Sequence, residues 1–448
     1  MISLVCMPLM LGMSPQPQAP GRPASVTAVF SPQERAAIVA YWTMPGRYDI
    51  GAPPDAAAKG PWTVRLTPDA SRWFWAYQRA VAGPGKPPPN TDVKAAPAWE
   101  KWVQAKLDFD RAQAQRAADA ANRAVIPGLA PSPVPEVPAP GPIPPDLIEA
   151  VGNPPPFAAM VAPRRYTVVF DDGDTYAYVD HPVMRARYAY YRWDTGVMDA
   201  GTPVRQMRGS ELDAIFAAAG MTASEARSCR AVSRLEGGFD AVNTYDTGWV
   251  SIGFIQCITG ENGTGSLIGV LEREKADTPE AFQRDFRRFG IDVTEQGVLT
   301  VIDPSTGAEL VGNEAVRKVI EDKRLTACFQ KAGRRSLEFR TAQVKVAKSH
   351  YWPADDRVKI SVNGQTLEFA VRDLIRSEAG MATLFDRKVN RGSSAPFADV
   401  VARIMTEKRC TSIADAARYE HEIVAALKYR TDFLADSTLS QPRRDRQP

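Results

Sequence analysis

The chain has 448 residues, 44% hydrophobic and 24% charged, with 55 Lys and Arg against 52 Asp and Glu. This is globular composition with room for two or three domains. A net charge of +3, spread evenly, argues against a nucleic-acid surface. Past the first residues, no segment approaches the run of about 18 apolar residues that a membrane helix needs. The five cysteines, Cys6, Cys229, Cys257, Cys328 and Cys410, are too few and too scattered for a disulfide framework. No CxxC or His/Cys spacing calls for a metal or a cofactor. His181, His350 and His421 lie far apart and near no nucleophile signature, so they read as structural.

Residues 1–23 hold a short apolar stretch without a basic leader or a clear small-residue cleavage site, and read as an unstructured start rather than a standard signal peptide. From 24 to 125 the signals are helical. Ser31-Pro32-Gln33-Glu34 combines an N-cap, a Pro at the first helical position and a capping-box Glu. Thr67-Pro68-Asp69 starts a second helix, and a long Ala- and Arg-rich helix runs from about 98 to 123. Six tryptophans fall here (Trp42, Trp62, Trp73, Trp75, Trp99 and Trp102), and core packing suits them better than a sugar platform. Trp73 and Trp75 cannot share a helix face, so one of them is expected to be exposed, and the region reads as a docking domain open to a protein partner. Residues 126–163 are too rich in Pro for regular structure and read as a semi-rigid linker.

The stretch 164–435 alternates short β-hairpins with helices. Hairpins are expected around Asp171–Asp174, Asp303–Gly307 and Asn363-Gly364. Helices are expected at about 210–219, 223–236, 265–275, 279–289, 313–323, 325–351, 371–390 and 397–407. The fold class is therefore α+β, mostly helical with small β pieces. Residues 436–448 are polar and Pro-interrupted, as in a frayed tail.

Chemistry concentrates between Ser224 and Gln256. Thr222-x-x-Glu225 is a capping box, and Ala226, Cys229, Val232 and Leu235 recur at helical spacing before Gly237-Gly238 end the helix, with Glu236 as its last residue. A carboxyl there feels the negative end of the helix dipole and, against apolar neighbours, is poorly solvated. Both effects raise its pKa, as a glycosidic general acid requires. The turn-rich segment Thr244–Gln256 then places Asp246, Thr247 and Ser251 across from the helix end.

Glu236-Gly237 followed by Tyr245-Asp246-Thr247-Gly248-Trp249 and Ser251-Ile252-Gly253 resembles the active-site helix and hairpin of phage-type lysozymes. The set Glu236, Phe239, Ser251, Gly253 and Gln256 is also similar to the Glu and Ser-x-Gly-x-x-Gln pattern of lytic transglycosylases. Residues 342–354 and 377–392 resemble helices of chitosanase-like members of the same superfamily. The resemblance spans roughly 205–410, and its specific part is Glu236 to Gln256. It implies a lysozyme-like catalytic domain that cleaves a β-1,4-linked amino-sugar polymer, peptidoglycan foremost, in the periplasm or outside the cell. Glu236 would be the acid and Asp246 the second carboxylate, with Asp240 as its competitor. Thr247, Ser251 and Gln256 would position substrate or water, and Tyr245 and Trp249 would line sugar subsites or pack the hairpin. Chitosan hydrolysis, or a non-catalytic glycan-binding part of a phage or injection assembly, are the alternative readings.

Overall fold

A computed structural model describes residues 28–83, 97–180, 192–235, 237–362 and 364–443. The start at 1–23, the last residues 444–448, Cys6, His181 and the expected acid Glu236 lie outside the described residues.

Helix α1 (Pro32–Trp42) begins with the expected capping box: Ser31 Oγ accepts from Glu34 N at 3.2 Å, and the Glu34 carboxylate accepts from Ser31 N at 2.8 Å. Strand β1 (Tyr48–Gly51) follows. These elements do not belong to a separate N-terminal domain. Phe30, Ile38 and Trp42 are buried in the core of the main body, and the Trp42 indole donates to the Phe289 carbonyl at 3.0 Å.

The N-terminal lobe starts later, with α2 (Ala56–Lys59), β2 (Thr63–Leu66), α3 (Pro68–Ala82), α4 (Pro97–Val125), α5 (Pro145–Val151) and β3 (Ala158–Val161). Thr67 caps α3 through Ala70 N. Leu66, Phe74, Val103, Leu107, Leu147 and Phe157 form its core. Trp73 stacks on Tyr77 with ring centroids 5.5 Å apart, and Trp75, Trp99 and Trp102 pack partly buried against the same cluster. Neither Trp of the α3 pair stands free: Trp73 is buried, and Trp75 is partly buried against the cluster that α4 and α5 help to build.

The Pro-rich segment is likewise not a free spacer. A chain without its own hydrogen-bonded structure leaves its backbone groups open to neighbours, and α4 supplies partners. Arg116 donates to Pro135 O at 2.8 Å, the Trp102 indole to Gly141 O at 2.8 Å, and Asp119 accepts from Ser132 N at 2.9 Å. The segment also contains α5, and β3 pairs antiparallel with β2.

The main body resumes with the hairpin β4 (Arg165–Val169) and β5 (Thr175–Val179), which joins β1 in a three-stranded sheet ordered β1-β4-β5. Next come β6 (Met198–Asp199), α6 (Gly209–Ala218), α7 (Ala223–Ser233), β7 (Val242–Asn243), β8 (Ser251–Ile252) and β9 (Cys257–Ile258). Helices α8 (Ser266–Asp277) and α9 (Pro279–Asp285) precede the sheet of β10 (Ile291–Val293), β11 (Leu299–Ile302) and β12 (Glu309–Val311). Then follow α10 (Asn313–Glu321), α11 (Lys323–Arg335) and α12 (Leu337–Tyr351). The long helix expected at 325–351 is broken at Ser336, which adopts an extended backbone and caps α12 by accepting from Phe339 N at 3.1 Å.

A third core closes the chain: the hairpin β13 (Arg357–Val362) and β14 (Gln365–Ala370), then α13 (Val371–Leu374), α14 (Glu378–Arg391), α15 (Phe397–Lys408), α16 (Ile413–Ala416) and α17 (Glu420–Leu427). The span 164–435 is therefore two packed cores. They share α14, whose Ala379, Ala382 and Phe385 enter the main core while Met381 and Leu384 enter the other. Residues 436–443 are docked rather than frayed: Leu439 is buried in the main core, Ser440 N donates to Glu378 Oε2 at 2.8 Å, and Ser440 O accepts from Ala379 N at 3.1 Å. Polar residues hold this tail because they complete the first turn of α14. The architecture is mixed helix and small sheets, in keeping with α+β.

Candidate active site

Helix α7 opens on the expected capping box, with Thr222 Oγ1 accepting from Glu225 N at 3.2 Å and Glu225 accepting from Thr222 N at 2.7 Å. Ala226, Cys229 and Val232 are buried as their spacing implies. The helix ends at Ser233, three residues earlier than expected, and tightens through a Leu235 N to Val232 O bond of 2.9 Å. That early end rotates Leu235 off the apolar stripe, and it is 36% exposed.

The chain after Glu236 is anchored firmly. Gly238 N donates to Ala200 O at 3.0 Å. Asp240 is buried, its Oδ1 accepting from Thr202 N at 2.6 Å and its Oδ2 from Arg334 Nε at 2.9 Å. Asp240 thus ties the loop to the segment before α6 and to α11. Behind it, the buried Gln343 of α12 donates to Phe239 O at 3.0 Å and accepts from Phe254 N at 3.3 Å, clamping the loop to the hairpin. Gly253 is the close-approach glycine of that hairpin: its φ is +85°, and a Cβ there would overlap the Gln343 amide.

The hairpin belongs to a four-stranded antiparallel sheet ordered β6-β7-β8-β9. Its register aligns two rows of side chains. Asp199, Val242, Ile252 and Cys257 stand opposite one another, and the last three are buried. Met198, Asn243, Ser251 and Ile258 form the neighbouring row, on the other face by the alternation of strands. The edges of this second row are open, with Met198 51% and Ile258 40% exposed, whereas Ser251 is buried beneath the 245–248 turn. Gly248 lies so close that a Cβ on it would overlap Ser251 Oγ.

Asp246 sits half-buried in that turn, accepting from Asn243 Nδ2 at 2.7 Å and from Gly248 N at 2.9 Å. Burial pushes its carboxyl above the ordinary value of 3.8, against the opposing pull of those two hydrogen bonds and of the Arg192 charge. The register therefore brings Asp246 together with Ser251 through Asn243, a residue that the sequence reading passed over. Its signal was present: Asn243-x-x-Asp246 is an Asx-rich turn two residues before Gly248.

The other candidates are placed differently. Asp240 faces Thr202 and Arg334. The Gln256 amide turns back to donate to Gly253 O at 2.9 Å, within its own turn. Trp249 is 5% exposed and packs against Trp193 with centroids 5.0 Å apart, while Tyr245 is also buried. Thr247 is half-buried at the tip of the turn. Trp249 and Gln256 both adopt left-handed backbone, with φ of +67° and +54°, so the hairpin holds two strained non-glycine residues. Such strain persists only where packing enforces it, and it clusters at working sites. Comparisons with protein-family models, curated proteins and solved structures give no match to this chain.

Proposed function

We propose that the protein is a lysozyme-like glycan-cleaving enzyme acting on a β-1,4-linked amino-sugar polymer, peptidoglycan foremost, with Glu236 as general acid and Asp246 as second carboxylate. The role of Glu236 rests on the sequence motif. The observation that carries the reading is Asp246: a desolvated carboxyl on a small, strained sheet whose hairpin Gln343 clamps to the loop that follows α7. Glu236 hands a proton to the glycosidic oxygen, and the departing sugar leaves an oxocarbenium-like centre. Asp246, ionised, steadies that charge or steers a water. Asn243 holds one of its oxygens and the Gly248 amide the other, which fixes the carboxylate plane.

Glu236→Gln should abolish cleavage of purified peptidoglycan while glycan binding persists, because losing general acid catalysis costs about 100-fold to 10,000-fold. Mass analysis of the fragments separates reducing ends from 1,6-anhydro ends, and a parallel digest of chitosan tests the chitosanase alternative. Equal rates for parent and variant would remove the assignment. A glycan-binding module without turnover is the second reading. It is favoured by the engagement of Asp240 and Gln256 in local structure, and it predicts binding with no fragments from the parent itself.

A further inference from the structure

Next to the loop that follows Glu236 lies a cavity of about 280 Å³, bordered by Gln206, Arg208, Glu211, Asp240, Arg334 and Arg340. Its back wall is close-packed. Gly333 of α11 touches the Phe239 carbonyl so closely that a Cβ would overlap it, and this seating brings Arg334 to the cavity.

The hydrogen-bond inventory of the walls is lopsided. Both oxygens of Asp240 are engaged, Oδ1 by Thr202 N and Oδ2 by Arg334 Nε and by Thr202 Oγ1 at 3.3 Å. Glu211 takes a bond from Arg340, which also donates to the Gly333 carbonyl at 2.7 Å and to the Arg334 carbonyl, so Arg340 is a strut between α6 and the end of α11. Both Asp240 oxygens and Glu211 Oε1 are thus engaged, Glu211 Oε2 has only Arg208 at 3.9 Å, and donors remain on the arginines. Arg334 uses only Nε, and its two Nη groups have no partner among the described residues. Arg208 has a side chain that is 85% exposed, and its ion pair with Glu211 is stretched to 3.9 Å.

Arg334 is also held in place. Its bond to Asp240 and its position over the Tyr176 ring, 5.0 Å from the centroid, fix the plane of the guanidinium. A pre-oriented pair of parallel N–H donors matches a carboxylate, and loses little freedom on binding one. The charges agree. Arg208, Arg334 and Arg340 against Asp240 and Glu211 leave one positive charge among the bordering residues, which suits a monoanion better than a phosphate dianion.

We propose that this cavity is a carboxylate subsite, in which the Nη pair of Arg334 binds a carboxyl group carried by an amino sugar and Arg208 closes over it. The identity of the sugar rests on the glycan-cleaving reading; the carboxylate chemistry rests on the cavity alone. The natural probe pair is N-acetylmuramic acid and N-acetylglucosamine, which differ by a lactyl ether bearing one carboxyl.

Ligand-observed NMR titration of the full chain should show about tenfold tighter binding of N-acetylmuramic acid, the scale of one charge-assisted bidentate contact. Arg334→Lys, which keeps the charge and its reach to Asp240 but removes the fork, should erase most of that preference. Arg208→Ala, at an exposed position that leaves the fold intact, should reduce it several-fold, while N-acetylglucosamine binding stays unchanged in both. Equal affinity for the two sugars, no binding of either, or a preference that survives both substitutions overturns the subsite. Peptidoglycan cleavage measured alongside keeps the two readings apart. Cleavage without carboxylate preference removes the subsite alone, whereas carboxylate preference without cleavage supports the subsite and removes the enzyme.

Discussion

Glu274 offers a quantitative test of the helical corner behind the small sheet. It stands near the end of α8, 1% exposed, and neither of its oxygens accepts a hydrogen bond among the described residues. Burial, and then the neighbouring carboxylate of Asp285, push its pKa from the ordinary 4.5 up to about 9, with Glu338 of α12 adding to the rise and Arg284 of α9 opposing it. A carboxyl whose pKa is raised by folding keeps its proton in the native state after the unfolded chain has lost it. Its penalty is therefore absent below pH 4.5, grows as pH rises, and levels off above about 9. At about 1.4 kcal/mol per pH unit, the 2.5 units between 4.5 and neutrality amount to about 3 to 4 kcal/mol of destabilisation at pH 7. Glu274→Gln replaces the titrating group with a neutral amide that can donate to Asp285, and should recover most of this. Urea unfolding read by tryptophan fluorescence, with Trp42 and Trp249 in the same core, should give a variant little changed at pH 4 but more stable by about 2 to 3 kcal/mol at pH 7. A variant that keeps the parent's loss of stability between pH 5 and 8, or is weaker throughout, would refute the reasoning.

Gln343→Ala should lower stability by about 2 to 4 kcal/mol in the same assay, since it strands the buried Phe239 carbonyl and Phe254 amide together. Gly253→Ala should cost at least about 2 kcal/mol, because φ of +85° and overlap with Gln343 act at once; an unchanged melting temperature would show that the clamp is loose. Asp246→Asn should reduce the rate on peptidoglycan at least about tenfold. It should also remove the acid limb of the pH profile: a raised pKa means that the working carboxylate is lost as pH falls, from a higher pH than for an ordinary Asp. Truncation after residue 435 should lower the melting temperature by several degrees, since it bares the first turn of α14 and removes the buried Leu439.

Local signals in the sequence were legible where local chemistry decides the outcome. The capping boxes at Ser31 and Thr222, the Thr67 cap and the strand pairs of the hairpins β4-β5, β11-β12 and β13-β14 all stand where the local signals put them. What failed was attribution of segments to domains. Whether α1 packs on its sequence neighbours or on Phe289, some 250 residues away, is decided by burial of Trp42, and periodicity carries no record of the partner. The Pro-rich segment misled for a related reason. Pro forbids regular structure, but it does not forbid docking, and donors on the side of α4 turned a spacer into a strap.

The site divides along the same line. Residue types and spacing could nominate Asp246, Ser251 and Gln256 together, because all three fall within one turn-rich stretch. Only register separates them. Opposite pairing of Asn243 with Ser251 puts the Asp246 turn over the open face of the sheet, whereas Gln256, two residues before Ile258, closes its own turn with Gly253. Asp240 shows the reverse case. It reads as a spare carboxylate near the acid, and the fold commits it to Thr202 and to Arg334, which comes from α11, almost a hundred positions later. That commitment leaves a guanidinium aimed and only partly engaged. A residue nominated as a second acid thereby becomes the anchor of a candidate binding surface, and the chemistry assigned to the loop depends on which helix the chain brings to it.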